Sequence, residues 1–348
     1  SATTDAPRFD HDPVTGESLG LLIEEERTNL LTYSEEFDDG SYLTAANGGL
    51  VVPTKTPNQA TAPDGSLTAD KIDYPAVSAA GTYSLIYRNA VTLSGSHSSS
   101  IYLRGAVGGE KVYLYYIVDG IYSNTLCTLT TEWQRFSVIF TGGTPSYWHL
   151  GVDLRPGSGQ VAQSASTIYA WGAQLEAGSF PTSYIPTDTS TVTRAADLAS
   201  IEGTNFSSWY NQSEGTFYGQ ATKLGTNTNS RLFITSTGSS TRTCDVYRDT
   251  ASTELALRSG IEVSTIVFSR YGDYTEPFTL TAAYKANDYA RSLNGVLAFT
   301  GVSGSVPTCD RLILGNWYSG SFYANGHISR LTYYPYRLAD ATLQEITS

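Results

Sequence analysis

The amino-acid sequence predicts an all-β protein: two antiparallel β-sandwich (jelly-roll) domains in tandem, with a short C-terminal helix. Three observations predict it. Only 16% of the 348 residues are charged, against roughly 25% in an average soluble domain. Ser, Thr, Gly and Tyr make up the difference, and the chain holds 25 Tyr, 12 Phe and 5 Trp. Aromatic and β-branched residues pack pleated faces, while Gly, Ser and Asn fill turns. Second, short stretches alternate with period two between turn residues, the pattern of half-buried strands. Third, residues 181–200 hold two prolines in a Thr/Ser run that resists packing, and the length favours two domains.

Residues 1–33 read as an extended leader: "APRFDHDPVTGES" is rich in Pro, Asp and Gly, and "LGLLIEEERTNLLTY" is an apolar and acidic strip. Such a segment is expected to lie on the next domain or on a neighbouring chain. The first domain is expected over 34–187. Tyr83, Leu85 and Tyr87 alternate, "HSSSIYLRGAV" and "EKVYLYYIVDG" follow at hairpin spacing, and "EWQRFSVIFTGG", "YWHLGVDLRPG" and "STIYAWGAQLE" complete the series. In the last strand Tyr169, Trp171, Ala173 and Leu175 fall on one face, and Trp171 and Leu175 are expected to seal the sandwich. A linker is expected over 188–200 and a second sandwich over 201–348. There the Asn294-Gly295 pair, flanked by alternation, is the strongest short hairpin signal. "LADATLQEIT" predicts one or two helical turns, Asp340 as N-cap and Leu343 with Ile346 on one face.

A net charge of −12 with 21 scattered Lys and Arg argues against nucleic acid and anionic membrane surfaces as partners. Neutral glycans remain compatible, because sugars are held by stacking and hydrogen bonds. Cys127, Cys244 and Cys309 are odd in number and lack a CxxC spacing, so they are expected as small buried hydrophobes, with a Cys244–Cys309 bridge left open. No apolar run approaches the ~20 residues of a membrane helix. The chain has no Met, and Ser1 is read as a boundary or processing point.

Chemistry-bearing patterns are few. "GESLG" (Gly16–Gly20) matches G-x-S-x-G, but that pattern needs a strand before it and a helix after it, and no His lies three residues after an Asp. It reads as a Gly-bracketed turn, and Asp10–Asp12 as a hydrated turn before Pro13. No zinc pattern occurs. Glu24–Glu26 and Glu35, Glu36, Asp38 and Asp39 are dense in carboxylate; a glycosidase pair needs two carboxyls roughly 5–10 Å apart, which a sequence does not measure. For calcium, which wants several oxygens, Glu36, Asp38 and Glu176 are candidates. The aromatic excess is the most informative feature. Within "YLYY", Tyr113 and Tyr115 share one face and Tyr116 takes the other, so some are expected to be exposed or half exposed. Tyr147, Trp148, Trp209, Tyr210, Trp317, Tyr318 and Tyr323 cluster in pairs or loops and are the candidates for sugar stacking, although any one ring is more often core or amphipathic rim.

Three blocks carry a family resemblance: "APRFDHDPVTGESLGLLIEEERTNLLTYSEEFD", "ATAPDGSLTADKI" and "YAWGAQLEAGSFPTSYIPT…TVTRAAD". They resemble a module recurrent in tailed-phage tail fibres, tailspikes and related virion proteins. Residues 34–187 look like a family 4/9-type carbohydrate-binding-module jelly roll, "NLLTYSEEF" its first strand and "YAWGAQLEAG" its last. Residues 201–348, with "AAYKANDYARSLNG" and "GHISRLTYYPYRLADATLQEI", look like a concanavalin-like (laminin-G-type) sandwich. The resemblance implies a virion appendage, extracellular during adsorption and usually a homotrimer, whose partners are host-surface polysaccharide and other tail proteins. In calcium-binding relatives, acidic residues of the first and last strands hold the ion; carried over, these are Glu36 and Glu176 with Gln174.

The reading is therefore a lectin-like protein that recognises host polysaccharide without covalent chemistry and without inserting in a membrane. Two rivals stand beside it: a hydrolase or lyase using carboxylates in a sandwich groove, and a purely structural spike or decoration protein.

Overall fold

The computed structural model describes residues 6–12, 15–143, 146–158, 161–221, 230–239, 242–248, 254–259, 266–267, 271–273, 277–301 and 304–348. The chain is all-β and divides into two compact units. One is Arg27–Arg194; the other joins the residues up to Glu26 with Ala195–Ser348.

The Arg27–Arg194 unit is a sandwich of two five-stranded antiparallel sheets. One runs Ile121–Thr128, Lys111–Val118, Ser146–Asp153, Tyr83–Val91, Leu43–Ala46; the other runs Gln134–Thr141, Ser96–Gly105, Ser166–Ala177, Ala69–Tyr74, Thr54–Ala60. Alternate residues face inward, as the two-residue strand period requires. Ile86, Leu114, Tyr116, Trp148 and Leu150 from the first sheet meet Ile101, Leu103, Ile168, Ala170 and Leu175 from the second in one core. Cys127 lies in it too, and burial pushes its thiol up to about 12, so it stays a neutral apolar filler. All three cysteines are free and buried, and no Cys244–Cys309 bridge forms.

The last strand departs from the simple alternation. Its pairing with Ser96–Gly105 slips between Trp171 and Gln174, at Gly172, whose φ is +67°. A Cβ there would lie 3.2 Å from Tyr102 and 3.3 Å from Tyr184, so a glycine is required on both counts. This extra residue is a β-bulge, which flips which residues face inward. Ile168 and Ala170 face the core before it, Ala173 and Leu175 after it. Trp171 therefore does not seal the same core as Leu175. It packs on the outer side with Tyr102 and Tyr184, its Nε1 donating to Thr68 Oγ1 at 2.9 Å.

The bulge serves a buried polar lock. Asn29 is fully buried; its Nδ2 donates to the carbonyls of Ala173 (3.1 Å) and Ile185 (2.9 Å), and its Oδ1 accepts from the amides of Leu31 and Leu175 (3.1 Å each). Gln174, also fully buried, accepts from Ile185 N at 2.6 Å and donates to the Thr182 and Ser183 carbonyls at 3.3 Å. Ser34 and Thr187 exchange further bonds. The entry strand, the last strand and the exit segment are thereby tied together, and Arg27–Asn29 pairs antiparallel with Val192–Arg194.

The second unit is a sandwich of two seven-stranded antiparallel sheets. One runs Phe9–His11, Ser18–Ile23, Gly326–Tyr334, Glu214–Ala221, Phe278–Lys285, Tyr289–Leu293, Val296–Gly301; the other has Ala199–Glu202, Arg311–Leu314, Arg231–Ser236, Arg242–Arg248, Glu254–Ser259 and Ile266–Val267 in line, with Tyr271–Asp273 also paired to Glu254–Ser259. Asn294 and Gly295 both have positive φ in the turn that pairs Leu293 with Val296, as a two-residue hairpin favours. The C-terminal helix is Asp340–Ile346. Leu343 is buried against Ala283 and Ala290. Its N-cap is Ala339 rather than Asp340, because Asp340 instead reaches Arg337 at 2.6 Å.

The expected leader over 1–33 and linker over 188–200 divide differently. Ser18–Ile23 pairs with Gly326–Tyr334 as an interior strand of its sheet. Arg8 bridges Glu24 and Asp197; the Glu24 amide donates to the Asp197 carboxylate, and the Asp197 amide donates to the Glu24 carbonyl. Residues up to Glu26 are thus part of the second sandwich, and Val192–Arg194 and Ala199–Glu202 are strands.

Two consequences are measurable. Asn29→Ala orphans four buried backbone groups, and should lower the stability of the unit by about 3–5 kcal/mol in urea denaturation. Asp70, 1% exposed, accepts from Phe37 N (2.7 Å) and Asn58 N (2.9 Å). Burial outweighs these bonds and raises its pKa to about 6. The folded state thus holds this proton to higher pH than the unfolded chain. Its contribution is full below about pH 4 and is lost as pH rises through about 6. Urea midpoints taken across that window should fall with rising pH more steeply in the native chain than in Asp70→Asn.

Candidate functional site

Two of the three residues expected to hold calcium have their oxygens committed to other partners. The side chain of Glu176 is buried and accepts from both the amide (3.0 Å) and the hydroxyl of Thr182. Gln174 spends its amide on the exit segment as described. Glu36 is exposed, its pKa raised by desolvation and by the charges of Asp188, Asp38, Asp39 and Glu35. Calcium needs several oxygens aimed at one point. Here the oxygens of Gln174 and Glu176 are aimed at backbone and hydroxyl donors, so the trio does not fit a shared ion. Among the described residues no three His, Cys, Asp or Glu gather as a metal site.

The aromatic candidates separate by strand parity. Tyr147 and Trp148 are adjacent on Ser146–Asp153 and so face opposite sides. Trp148 is 1% exposed and points into the core, where its ring meets Tyr42 at 5.6 Å; it offers no open platform. Tyr147 is half-buried on the outer face. Tyr210 is buried in a ring cluster with Phe206, Phe217, Tyr284 and Tyr333, and Trp209 lies half-buried on Phe206 and Tyr333 with its Nε1 on Asn205 O at 2.6 Å. Both are packing residues. Trp317, Tyr318 and Tyr323 remain half-buried in one loop. Trp317 lies 4.7 Å from Tyr318, with the Arg231 guanidinium 4.5 Å from its ring; Phe322 beside them is 41% exposed.

The larger aromatic surface lies on the outer face of the first unit's Tyr147 sheet. The register brings one residue from each strand into a row: Tyr115 opposite His149, and His149 opposite Tyr87. Tyr115 and His149 stack at 4.5 Å with rings parallel, and both are buried. Around them Tyr87 (6.1 Å from His149), Tyr147 (6.2 Å) and Tyr122 (5.8 Å from Tyr115) form a half-buried rim. Tyr83 sits under the Arg155 guanidinium at 4.2 Å. Asp153, fully buried, receives the Tyr115 hydroxyl at 2.8 Å and Arg155 at 2.6 Å. Burial and the Arg155 charge push His149 down to about 3, so it is a neutral ring. The result is a floor of rings stacked on one another, buried at its middle, with half-buried tyrosines, hydroxyls and one ion pair at its border. The half-buried rim tyrosines, not the buried pair, are the rings that can meet a ligand's apolar faces and hydroxyl groups.

Tyr83, Tyr87, Tyr115, Tyr122 and His149 were not among the sequence candidates. The signal was present as Tyr at alternate positions on neighbouring strands, but only the register shows that those strands are adjacent. The expectation that "YLYY" exposes some of its rings is corrected: Tyr113, Tyr115 and Tyr116 are each under 5% exposed. "GESLG" runs directly into the strand Ser18–Ile23 with no helix after it, and Asp10 bonds His327 at 2.9 Å.

No family model and no curated protein matches the sequence. Among solved structures, the chain is similar to the CBM40 of Ruminococcus gnavus IT-sialidase bound to α2,3 sialyllactose, at 15% identity and a TM-score of 0.37 over 43% of this chain and 93% of that one. It is similar to domains LG4-5 of the mouse laminin α1 chain, at 11% identity and 0.28 over 74% and 91%. It is also similar to Trypanosoma rangeli sialidase in complex with sialic acid, at 9% identity and 0.31 over 80% and 60%.

Proposed function

We propose that this chain recognises polysaccharide non-covalently, as an appendage protein of a tailed-phage tail that adsorbs to the host surface. The observation that carries the binding function is the aromatic floor on the first unit, with its half-buried tyrosine rim and the Asp153–Arg155 pair at its border. The phage setting rests on the sequence blocks that resemble tail-fibre and tailspike modules. A homotrimer fits a surface of this kind, because linked weak sites gain effective concentration. The aromatic loop Trp317–Tyr323 of the second unit is the subsidiary contact. A calcium ion has no part in this reading. A structural spike is the second reading, favoured by the burial of Trp148 and Tyr210.

A glycan array probed with the whole chain tests it. Tyr122→Ala and Tyr87→Ala should each weaken the best hit about 3–10-fold, from the ~0.5–1.5 kcal/mol of an aromatic contact. An array without a hit, together with tight attachment to the particle, supports the structural role instead. New reducing ends on incubation with capsular polysaccharide sink the binding-only reading. Because His149 stays neutral down to about pH 3, affinity should be flat between about pH 5 and pH 8; a loss centred near the ordinary histidine value would contradict the stacked floor.

A further inference from the structure

A second cavity in the first unit has a different chemistry. A cleft of about 450 Å³ opens between the two sheets of Arg27–Arg194. Tyr116, Trp148 and Leu175 line its inner wall, and Ser41, Arg88, Asn89 and Thr92 its polar side. The outer aromatic floor is on the opposite face of the Trp148 sheet, so the two surfaces share strands and no side chain.

Two groups lining this cleft bear on its chemistry, the Trp148 indole and the Arg88 guanidinium. The indole of Trp148 is 1% exposed, and its Nε1 has no hydrogen-bond partner. A buried donor left unpaired costs about 1–3 kcal/mol, so such groups in folded proteins usually face a ligand or a water. Arg88 is the second. Its Nη1 donates to Thr32 O (3.2 Å) and Ser41 Oγ (2.6 Å), its Nη2 donates to Thr32 Oγ1 (3.0 Å), and it lies 4.6 Å over the Tyr42 ring. All these partners are neutral. Asp39 feels the Arg88 charge but bonds the Ser41 amide at 2.8 Å. A guanidinium fixed in place and lacking a carboxylate partner is suited to binding one in its fork geometry. A volume of this size falls within the range of small-molecule sites, with room for a sugar ring. Leu30, Leu31 and Leu93 add an apolar wall for the ring's C–H face, while Asn89 and Thr92 are exposed at the mouth.

We propose that this cleft is a second glycan site, selective for a single carboxylated sugar unit, with Arg88 pairing the carboxylate and the Trp148 side chain forming part of the wall that the bound sugar meets. It rests on the glycan-recognition reading for the class of ligand, but on separate residues.

The test follows the indole N–H signals of the ¹⁵N-labelled whole chain by NMR, with Trp148 assigned through Trp148→Phe, during titration with D-glucuronate and D-glucose. These differ only in the carboxylate at C6. Glucuronate should shift the Trp148 signal and bind at least about 10-fold more tightly than glucose. Thr92→Trp, which fills the mouth from an exposed position, should abolish the shift, and Arg88→Lys should weaken it about 10-fold. Array binding that depends on Tyr122 should be untouched by Thr92→Trp. An unmoved Trp148 signal, an equal response to glucose, or full binding in Thr92→Trp overturns the proposal. A preference for glucose 6-phosphate over glucuronate overturns the carboxylate assignment. Glucuronate binding without any Tyr122-dependent hit on the array removes the outer-face reading and leaves this one standing.

Discussion

The buried hydrogen bonds of Asn29 hold the first unit closed. One side chain satisfies the backbone of three segments at once, the entry strand at Leu31, the last strand at Ala173 and Leu175, and the exit segment at Ile185. A polar group with no exposure is tolerable only when its bonds are complete. Asn29 can complete them only if Ala173 and Leu175 present a carbonyl and an amide towards it. The bulge at Gly172 is what turns the strand to do so, and it also changes the inward-facing set from Ile168 and Ala170 to Ala173 and Leu175. Register, bulge and lock are therefore one constraint. Gln174 and Glu176 extend it by fastening Thr182, Ser183 and Ile185.

With the closing strand set, strand parity distributes the aromatic residues. On Ser146–Asp153, Tyr147 and His149 build the outer floor while Trp148 enters the core beside the cleft. Lys111–Val118 repeats the division, Tyr115 outward and Tyr116 inward. The two surfaces differ in polarity because their borders differ. Outside, Arg155 is neutralised by Asp153, leaving stacking and hydroxyl bonds as the available interactions. Inside, Arg88 has only neutral partners, leaving a charge to be matched.

Much of the fold was legible in the sequence because strands and turns are local. Period-two alternation marked the strands, and Asn294-Gly295 marked its hairpin. What stayed hidden was set by distant pairing. Trp171 reads as a core residue in line with Leu175 until the bulge is known. Gln174 and Glu176 read as ligands because an amide and a carboxylate on a last strand look available; their partners, Thr182 to Ile185, lie just beyond a turn whose path no periodicity describes. Tyr87, Tyr115 and His149 lie on three separate stretches of sequence, and only sheet order makes them neighbours. The leader was misplaced for the same reason, since Ser18–Ile23 finds its partner at Gly326–Tyr334.

That last pairing makes the first unit an insertion within the second. The second sandwich needs its N-terminal strands, yet 168 residues from Arg27 to Arg194 separate them from the rest of it. Closing a flexible loop of that length costs about 4–5 kcal/mol on the (3/2)RT ln n estimate. The inserted unit removes most of that cost by folding, because its own first and last residues are register partners, Arg27 opposite Arg194 and Asn29 opposite Val192. Asn29 sits at the end of this pair and also in the lock. The side chain that closes the first sandwich thus also holds together the two chain ends from which the second must be assembled, so weakening the lock raises the entropy cost of forming the second sandwich.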